Sequence, residues 1–370
     1  MKNKKLSITY LDFDDMKNPL LGAGQARATY EVCSRLTNKG HRIKVICSKY
    51  PGYKDRIEDG ISYKHIGLPT GNIRLNNIIY ILLLPFYVLS LKSDIIVECF
   101  TSPISTLFSP VFTKIPVVAL STSFEADRFA KLYHLPFDKI ERFGLRFYRY
   151  FLPSSKYFKE KIEKYNKKVI SKIVYQGVED IYFGIKHNRP EHILFLGRLD
   201  MGQKGIDILL KAYSKVKDKI GYPLIIVGNG PDEYKIKKIV RDLGLSKKVR
   251  LVGPAFGKKK YDYFSRSVFC AVPSRHEGFC ILCLEALAAG LPVACFDIPG
   301  LCWLDEKVIG KVEAFNINKY SEKLLELANS KIREEKCEKL RKFASKFTWD
   351  KVAQNYEDFF YKILEREARS

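Results

Sequence analysis

Along the chain, short runs of β-branched and other apolar residues alternate with stretches whose apolar positions recur every three or four residues. The first run is LSITYLDF (6–13). A helix is predicted over Gln25 to Lys39, stopped by Gly40, a residue suited to the left-handed cap. RIKVICS (42–48), DIIVEC (94–99), IPVVAL (115–120) and KIVYQ (172–176) continue the strand series. A second series runs through HILFLG (192–197), PLIIVG (223–228), VRLVG (249–253), VFCAVP (268–273) and PVACFD (292–297). Helical patterns such as GIDILLKAYSKVKDKI (205–220) separate these runs. Short apolar strands alternating with helices predict parallel sheets covered on both faces. Two such series predict two doubly wound α/β domains, 1–176 and 177–347, with the join in QGVEDIYFGIKHNRPE (176–191), where the apolar rhythm breaks. The closing stretch, 348–370, holds one more helix, WDKVAQNYEDFFYKILEREA (349–368), with its own apolar stripe.

Length agrees with that division, because 370 residues are too many for one ordinary core. Nine cysteines, an odd number, lie scattered through apolar runs and fit buried thiols in a cytoplasmic protein. Cys280-x-x-Cys283 has no second Cys or His pair at ligand spacing, so no metal site is expected. The start, MKNKKLSITYLDF, lacks the pattern of a signal peptide. The most apolar segment, IIYILLLPFYVLSL (78–91), is short for spanning a bilayer and contains Pro85. It reads as a buried helix or as a helix seated at a membrane interface.

Charge narrows the partners. A net charge of +23 implies an acidic neighbour, whether an anionic lipid surface, a phosphorylated substrate or nucleic acid. The excess is concentrated in 138–172, which holds 11 Lys/Arg against 4 Asp/Glu with Phe and Tyr interleaved. That mixture suits a headgroup layer or stacking on bases, and equally a solvated basic helix. No nucleic-acid-binding module is recognisable, so nucleic acid is not expected as a partner.

Loops that follow strands carry the candidate chemistry, since ligands of open α/β sheets gather at the carboxyl ends of strands. LGRLDMGQKGIDILL (196–210) sets Arg198 just past a strand and Lys204 before Gly205 opens a helix. Two cations near a helix N-terminus suit a diphosphate. HEGFCILCLEALAAG (276–290) sets Glu277 in a loop and Glu285 within the following helix, whose first amides, near Gly278, Phe279 and Cys280, can receive an oxygen-rich ligand. Carboxylates accept hydrogen bonds from sugar hydroxyls, so cations and carboxylates together describe a nucleotide sugar. By itself, Glu285 reads equally well as the partner of a buried basic side chain. GNGPDEY (228–234), with Gly228 and Gly230, is another strand-end loop bordering the nucleotide. In LLGAGQARATYEVCSRL (20–36), Gly22 and Gly24 permit close backbone approach, although Arg27 stands where a dinucleotide-binding pattern needs a third glycine. His276 reads as a packing or hinge residue.

Over nearly its whole length the chain resembles the retaining glycosyltransferases of family four, of GT-B fold. The resemblance lies in FLGRLDMGQKGIDILLKAY, IIVGNGPDEY, VPSRHEGFCILCLEALAAGLPV and QGVEDIYF, with Glu277 and Glu285 answering to the family's E-x7-E motif. It implies two Rossmann-like domains facing a central cleft, an acceptor domain first and a donor domain second, with the last helix crossing back onto the first. Glu277 would contact the donor sugar and Glu285 the ribose hydroxyls. Arg198 and Lys204 would hold the diphosphate and stabilise the leaving group, and Gly24 would belong to the donor loop of the first domain. On this reading the two carboxylates are unpaired until the donor arrives. No cofactor or metal is expected, the nucleotide-diphosphate sugar being a co-substrate.

The implied activity is transfer of a hexose, with retention, to a glycan or lipid-linked acceptor in surface polysaccharide, glycolipid or glycoprotein glycan synthesis. The implied place is the cytoplasm or the inner face of the cell membrane. Two departures from the family motivate the alternative of a catalytically silent scaffold that binds membranes or glycans. The segment STSFEADRF holds Ser121, Thr122, Ser123, Glu125 and Asp127 but not the histidine that many members carry there. The donor loop reads Gly-Ala-Gly rather than adjacent glycines.

Overall fold

The computed structural model describes residues 4–21, 24–100, 108–121, 124, 126–306 and 308–369. It divides into two compact units, Met1–Gln176 with Trp349–Ser370, and Gly177–Thr348.

The first unit is built on strands β1 (Ser7–Leu11), β2 (Arg42–Ser48), β3 (Arg56–Glu58), β4 (Ile61–Ile66), β5 (Ile95–Cys99), β6 (Val117–Ser121), β7 (Tyr150–Pro153) and β8 (Ile170–Ser171). They form one sheet in the order β3-β4-β2-β1-β5-β6-β7-β8. Every pairing is parallel except the β3–β4 hairpin. Its helices are α1 (Gly24–Asn38), α2 (Ile73–Ser90), α3 (Ala126–Tyr133), α4 (Phe137–Gly144) and α5 (Lys156–Tyr165). Side chains alternate across the pleat. Ile8, Tyr10, Ile95, Val97, Val118 and Leu120 meet Val32 and Leu36 of α1 and Trp349, Tyr356 and Phe360 of the C-terminal helix Trp349–Glu367. Leu11, Ile46, Ile96, Val117 and Ala119 face the other way, onto Tyr80, Leu84 and Val88 of α2.

The second unit has strands β9 (His192–Leu196), β10 (Leu224–Val227), β11 (Val249–Leu251), β12 (Ser267–Val272) and β13 (Val293–Cys295), all parallel, in the order β11-β10-β9-β12-β13. Its helices are the single turn α6 (Met201–Lys204), α7 (Ile206–Val216), α8 (Glu233–Asp242), α9 (Gly257–Ser265), α10 (Ile281–Ala288), α11 (Ile317–Leu327) and α12 (Ser330–Ala344). The chain leaves β9 towards β10 and β11, then returns to place β12 on the opposite side of β9. The direction of winding therefore reverses between β9 and β12, and the loops after those two strands flank the switch point.

Three sequence expectations need correction. Residues 172–176 are not a strand; the edge is the two-residue β8 just before them. The segment 138–172 is not one solvated helix, because it contains α5, most of α4, and β7 and β8. Its Tyr148, Tyr150, Phe151 and Phe158 are buried in the sheet and its cover, while most of its cations stay outside together with the exposed Phe143, Phe147 and Tyr157. Finally, α2 is not a buried helix. It runs to 18 residues straight through Pro85, and only the stripe Asn76, Tyr80, Leu84 and Val88 is buried.

The C-terminal helix shares with α1 the cover of one face of the first sheet, and Phe360 is fully buried there. Phe360→Ala is expected to cost about 3–5 kcal/mol. Urea unfolding followed by far-UV circular dichroism should show the loss; a change below about 1 kcal/mol would contradict the packing.

Candidate active site

Loops after β9 and β12 are tied together before any ligand is considered. Asp200 caps the single turn α6 by accepting from the Gln203 amide at 3.0 Å. Gly205 then turns at φ +62°, and a Cβ there would lie 2.0 Å from the Pro273 carbonyl oxygen. Only glycine permits that contact. Across the junction, the Arg275 amide donates to Gln203 O at 2.8 Å, and the Arg275 guanidinium grips both Asp207 oxygens at 2.7 and 2.8 Å. The same guanidinium reaches Met201 O at 2.6 Å.

That scaffold places Glu277 beside Lys204. The Glu277 Oε1 accepts from Lys204 Nζ at 2.8 Å and from Ser274 Oγ at 2.6 Å. Burial pulls the Lys204 ammonium down, but the Glu277 carboxylate more than offsets it, so the lysine holds its proton more tightly than usual. Glu285, in the middle of α10, is arranged in the same way. Its Oε1 accepts from Lys260 Nζ at 2.7 Å and from Tyr182 Oη at 2.8 Å. Burial, with Glu285 next to it, pushes the Tyr182 hydroxyl far up, so it stays a donor. The expectation that the two carboxylates are unpaired without ligand is therefore corrected: each has a lysine and a hydroxyl. The physical reason is the cost of leaving a largely buried carboxylate without a counter-charge. Both pairs use a single oxygen. Among the described residues, Oε2 of each glutamate takes no hydrogen bond, so each carboxylate is anchored through one oxygen and has an acceptor to spare.

The remaining site residues of this unit fall into two groups. Arg198 is exposed at the end of β9 and its guanidinium has no partner among the described residues. Its loop is shaped by Gly228 and Gly230, whose added Cβ atoms would meet Gly197 O at 1.9 Å and the Leu199 backbone at 2.6 Å. Those glycines bring the backbone of the loop after β10 against the one that carries the arginine. Beyond Glu277, Gly278 is half-buried and Phe279 turns inward, stacked on Trp303 at 4.3 Å between ring centres. Trp303 Nε1 donates to Phe279 O at 2.6 Å. Cys280 is buried at the N-cap of α10 with φ 64°, a left-handed value that costs a residue with a Cβ roughly 1–2 kcal/mol. At 279 and 280 only the backbone is left to face a ligand, and the first amides of α10 lack intrahelical acceptors. His276 is exposed with no side-chain partner among the described residues, so it is not a packing residue. Among the described residues no three His, Cys, Asp or Glu side chains gather as a metal-binding group.

The family described as Glycosyl transferases group 1 matches residues 179–347, and the one described as Glycosyltransferase Family 4 matches residues 22–180. Together the two matches run from the first unit's glycine loop to the end of the second. The chain belongs to glycosyltransferase family four, of GT-B fold.

An uncharacterized glycosyltransferase of Methanocaldococcus jannaschii is 32% identical over 217 residues, 56% of this chain and 58% of that protein. The N-acetylgalactosamine-N,N'-diacetylbacillosaminyl-diphospho-undecaprenol 4-alpha-N-acetylgalactosaminyltransferase of Campylobacter jejuni is 32% identical over 133 residues, 36% of this chain and 34% of that protein. The chain thus spans about a third to three-fifths of the length of the first three curated relatives. Among solved structures, sucrose-phosphate synthase from Thermosynechococcus elongatus superposes with a TM-score of 0.79 at 16% identity, covering 98% of this chain and 100% of that one.

Within this family-four chain, the candidates of the first unit are less complete. Gly24 opens α1, while Gly22 lies outside the described residues. Asp127 is exposed and paired with Arg142 at 3.2 Å and Lys161 at 3.8 Å. Ser121 is buried at the end of β6; Thr122, Ser123 and Glu125 lie outside the described residues.

Sequence reasoning missed Arg275, Asp207, Lys260 and Tyr182, which hold the two glutamates and their loops. The Arg275 fork outweighs the effect of burial and holds Asp207 below the usual carboxylate range. A depressed carboxyl stabilises the fold above its unfolded pKa, and that contribution is lost as pH falls through the folded value. Asp207→Asn is therefore expected to cost about 1–2 kcal/mol at neutral pH and progressively less below about pH 4. Urea midpoints measured across pH should show that convergence; a constant difference would contradict it. Lys260→Met strands a buried carboxylate and should cost about 3 kcal/mol. The double variant with Glu285→Leu should recover most of that loss, and a double-mutant cycle without coupling would remove the pair.

Proposed function

We propose that the protein is a retaining glycosyltransferase that moves a sugar from a nucleotide-diphosphate donor to a glycan or lipid-linked acceptor. The observation that carries this reading is the shared arrangement of Glu277 and Glu285, each fixed by a lysine and a hydroxyl through one oxygen and open at the other. Two acceptors, one in the loop before α10 and one within that helix, suit hydroxyls at the two ends of a nucleotide sugar, the transferred sugar at Glu277 and the ribose at Glu285. Arg198, exposed and without an ion pair among the described residues, is available to the diphosphate between them. In the reaction, the bond from the anomeric carbon to the β-phosphate oxygen breaks, and the acceptor hydroxyl forms the new bond and passes its proton to the departing β-phosphate oxygen. Negative charge grows on the departing nucleoside diphosphate, where Arg198 and Lys204 stabilise it. A lysine that holds its proton tightly suits that role. Retention is what membership of the family implies.

The Campylobacter jejuni relative is named for a diphospho-undecaprenol substrate, and the net charge of +23 favours an anionic surface. Both fit a lipid-linked acceptor met at the inner face of the membrane. A catalytically silent scaffold would bind the donor and leave it intact.

Calorimetric titration against UDP- and GDP-sugars, paired with donor hydrolysis, tests the proposal. Glu285→Ala is expected to weaken donor binding by about 2 kcal/mol, roughly thirtyfold. Arg198→Ala should lower turnover more than binding, because its charge partner grows in the transition state. Unchanged constants in both variants would remove the site assignment. Binding without hydrolysis or transfer would favour the scaffold.

A further inference from the structure

Helix α2 carries two opposed apolar faces. Asn76, Tyr80, Leu84 and Val88 form the stripe buried on the first sheet, where the Tyr80 hydroxyl also donates to Ile46 O of β2 at 3.1 Å. On the opposite side Leu75, Ile78, Leu82, Phe86 and Leu89, spaced three and four apart, are between 42% and 70% exposed. Val111, in the short turn Ser109–Val111 that packs beside α2, is exposed as well. A contiguous row of large apolar side chains on a solvent-facing helix marks a surface that is covered in use.

We infer that this outer face of α2 seats the protein in the headgroup layer of an anionic lipid bilayer. By length and composition α2 is the one described helix able to cross a membrane. A crossing helix is surrounded by lipid, however, and α2 is held along its length by the sheet. It therefore lies in the plane of the interface, with one face on protein and the other on acyl chains. Charge selects the occupant. Exposed Arg74 adjoins the N-terminal end of the row, exposed Lys92 follows its C-terminal end, and exposed Lys114 lies just past the Val111 turn. No acidic residue occurs between Asp59 and Asp94. An apolar row with cations at its ends matches acyl chains beneath phosphates. A twofold contact with a second copy would set Arg74 against Lys92 if the helices ran antiparallel and each cation against its own copy if they ran parallel, and either pairing repels. The inference deepens the lipid-linked reading of the acceptor and rests on it only for why the protein should be at a membrane.

Flotation of the full chain with phosphatidylcholine vesicles, with and without phosphatidylglycerol, tests this. The wild type should float with the anionic vesicles, and the double variant Leu82→Glu/Phe86→Glu should lose more than about tenfold in affinity. Donor hydrolysis without vesicles should be the same in both, which separates lost docking from lost folding or a wrong activity. In a second measurement on an otherwise unchanged chain, the indole introduced by Phe86→Trp should be quenched by brominated lipid. No flotation of the wild type at low salt overturns the inference, as does equal flotation of the double variant or an unquenched indole. A wild type that is a dimer without vesicles and becomes monomeric in the double variant also overturns it, by assigning the face to a second copy.

Discussion

The pairing of Glu277 with Lys204 is the interaction on which the site depends. A carboxylate at this depth needs a counter-charge in the folded state, and the lysine at the end of the single-turn helix α6 supplies it. Because the two residues belong to loops after different strands, the ion pair also works as a joint between those loops. Arg275 and Asp207 make a second joint alongside it, and Gly205 lets the backbones touch closely enough for both to form. The carboxylate is held through one oxygen. A group clamped at both would be rigid but chemically spent, whereas this one is oriented and still able to accept.

Topology decides which loops can meet. In the second unit the winding reverses between β9 and β12, so the loops after these adjacent strands rise side by side with no helix crossing over between them. Arg198 and Lys204 come from one, Glu277 from the other, some 70 residues later. Glu285 stands further along α10, where Lys260 of α9 and Tyr182 of the opening segment of the unit reach it. The same reading explains why Phe279 and Cys280 turn inward. Their side chains build the floor under the loop, stacked on Trp303 or buried at the helix start, while the backbone is left to the ligand side.

Much of this was legible in the chain. All five strands of the second unit stand where the apolar runs place them, because a strand buried on both faces must be apolar throughout. The first unit was harder. Its β3–β4 hairpin is short and half-polar, and β7 hides within a basic stretch in which half of the aromatic residues belong to the core. Helix α2 misleads for the opposite reason: its composition is that of a core helix, yet half of its apolar surface faces outward, and composition alone does not distinguish the two sides.

By itself, the sequence determined the two-domain α/β plan, the strand-end loops and the residue types able to handle phosphates and hydroxyls. Those follow from local periodicity and from the chemistry of single side chains, which neighbours in space do not alter. Tertiary structure alone decided the partners. That Glu277 meets Lys204, that Glu285 meets Lys260 and Tyr182, and that Arg198 is left exposed are consequences of strand order. Pairing between residues distant along the chain is set by how the sheet is wound, and no local pattern records it.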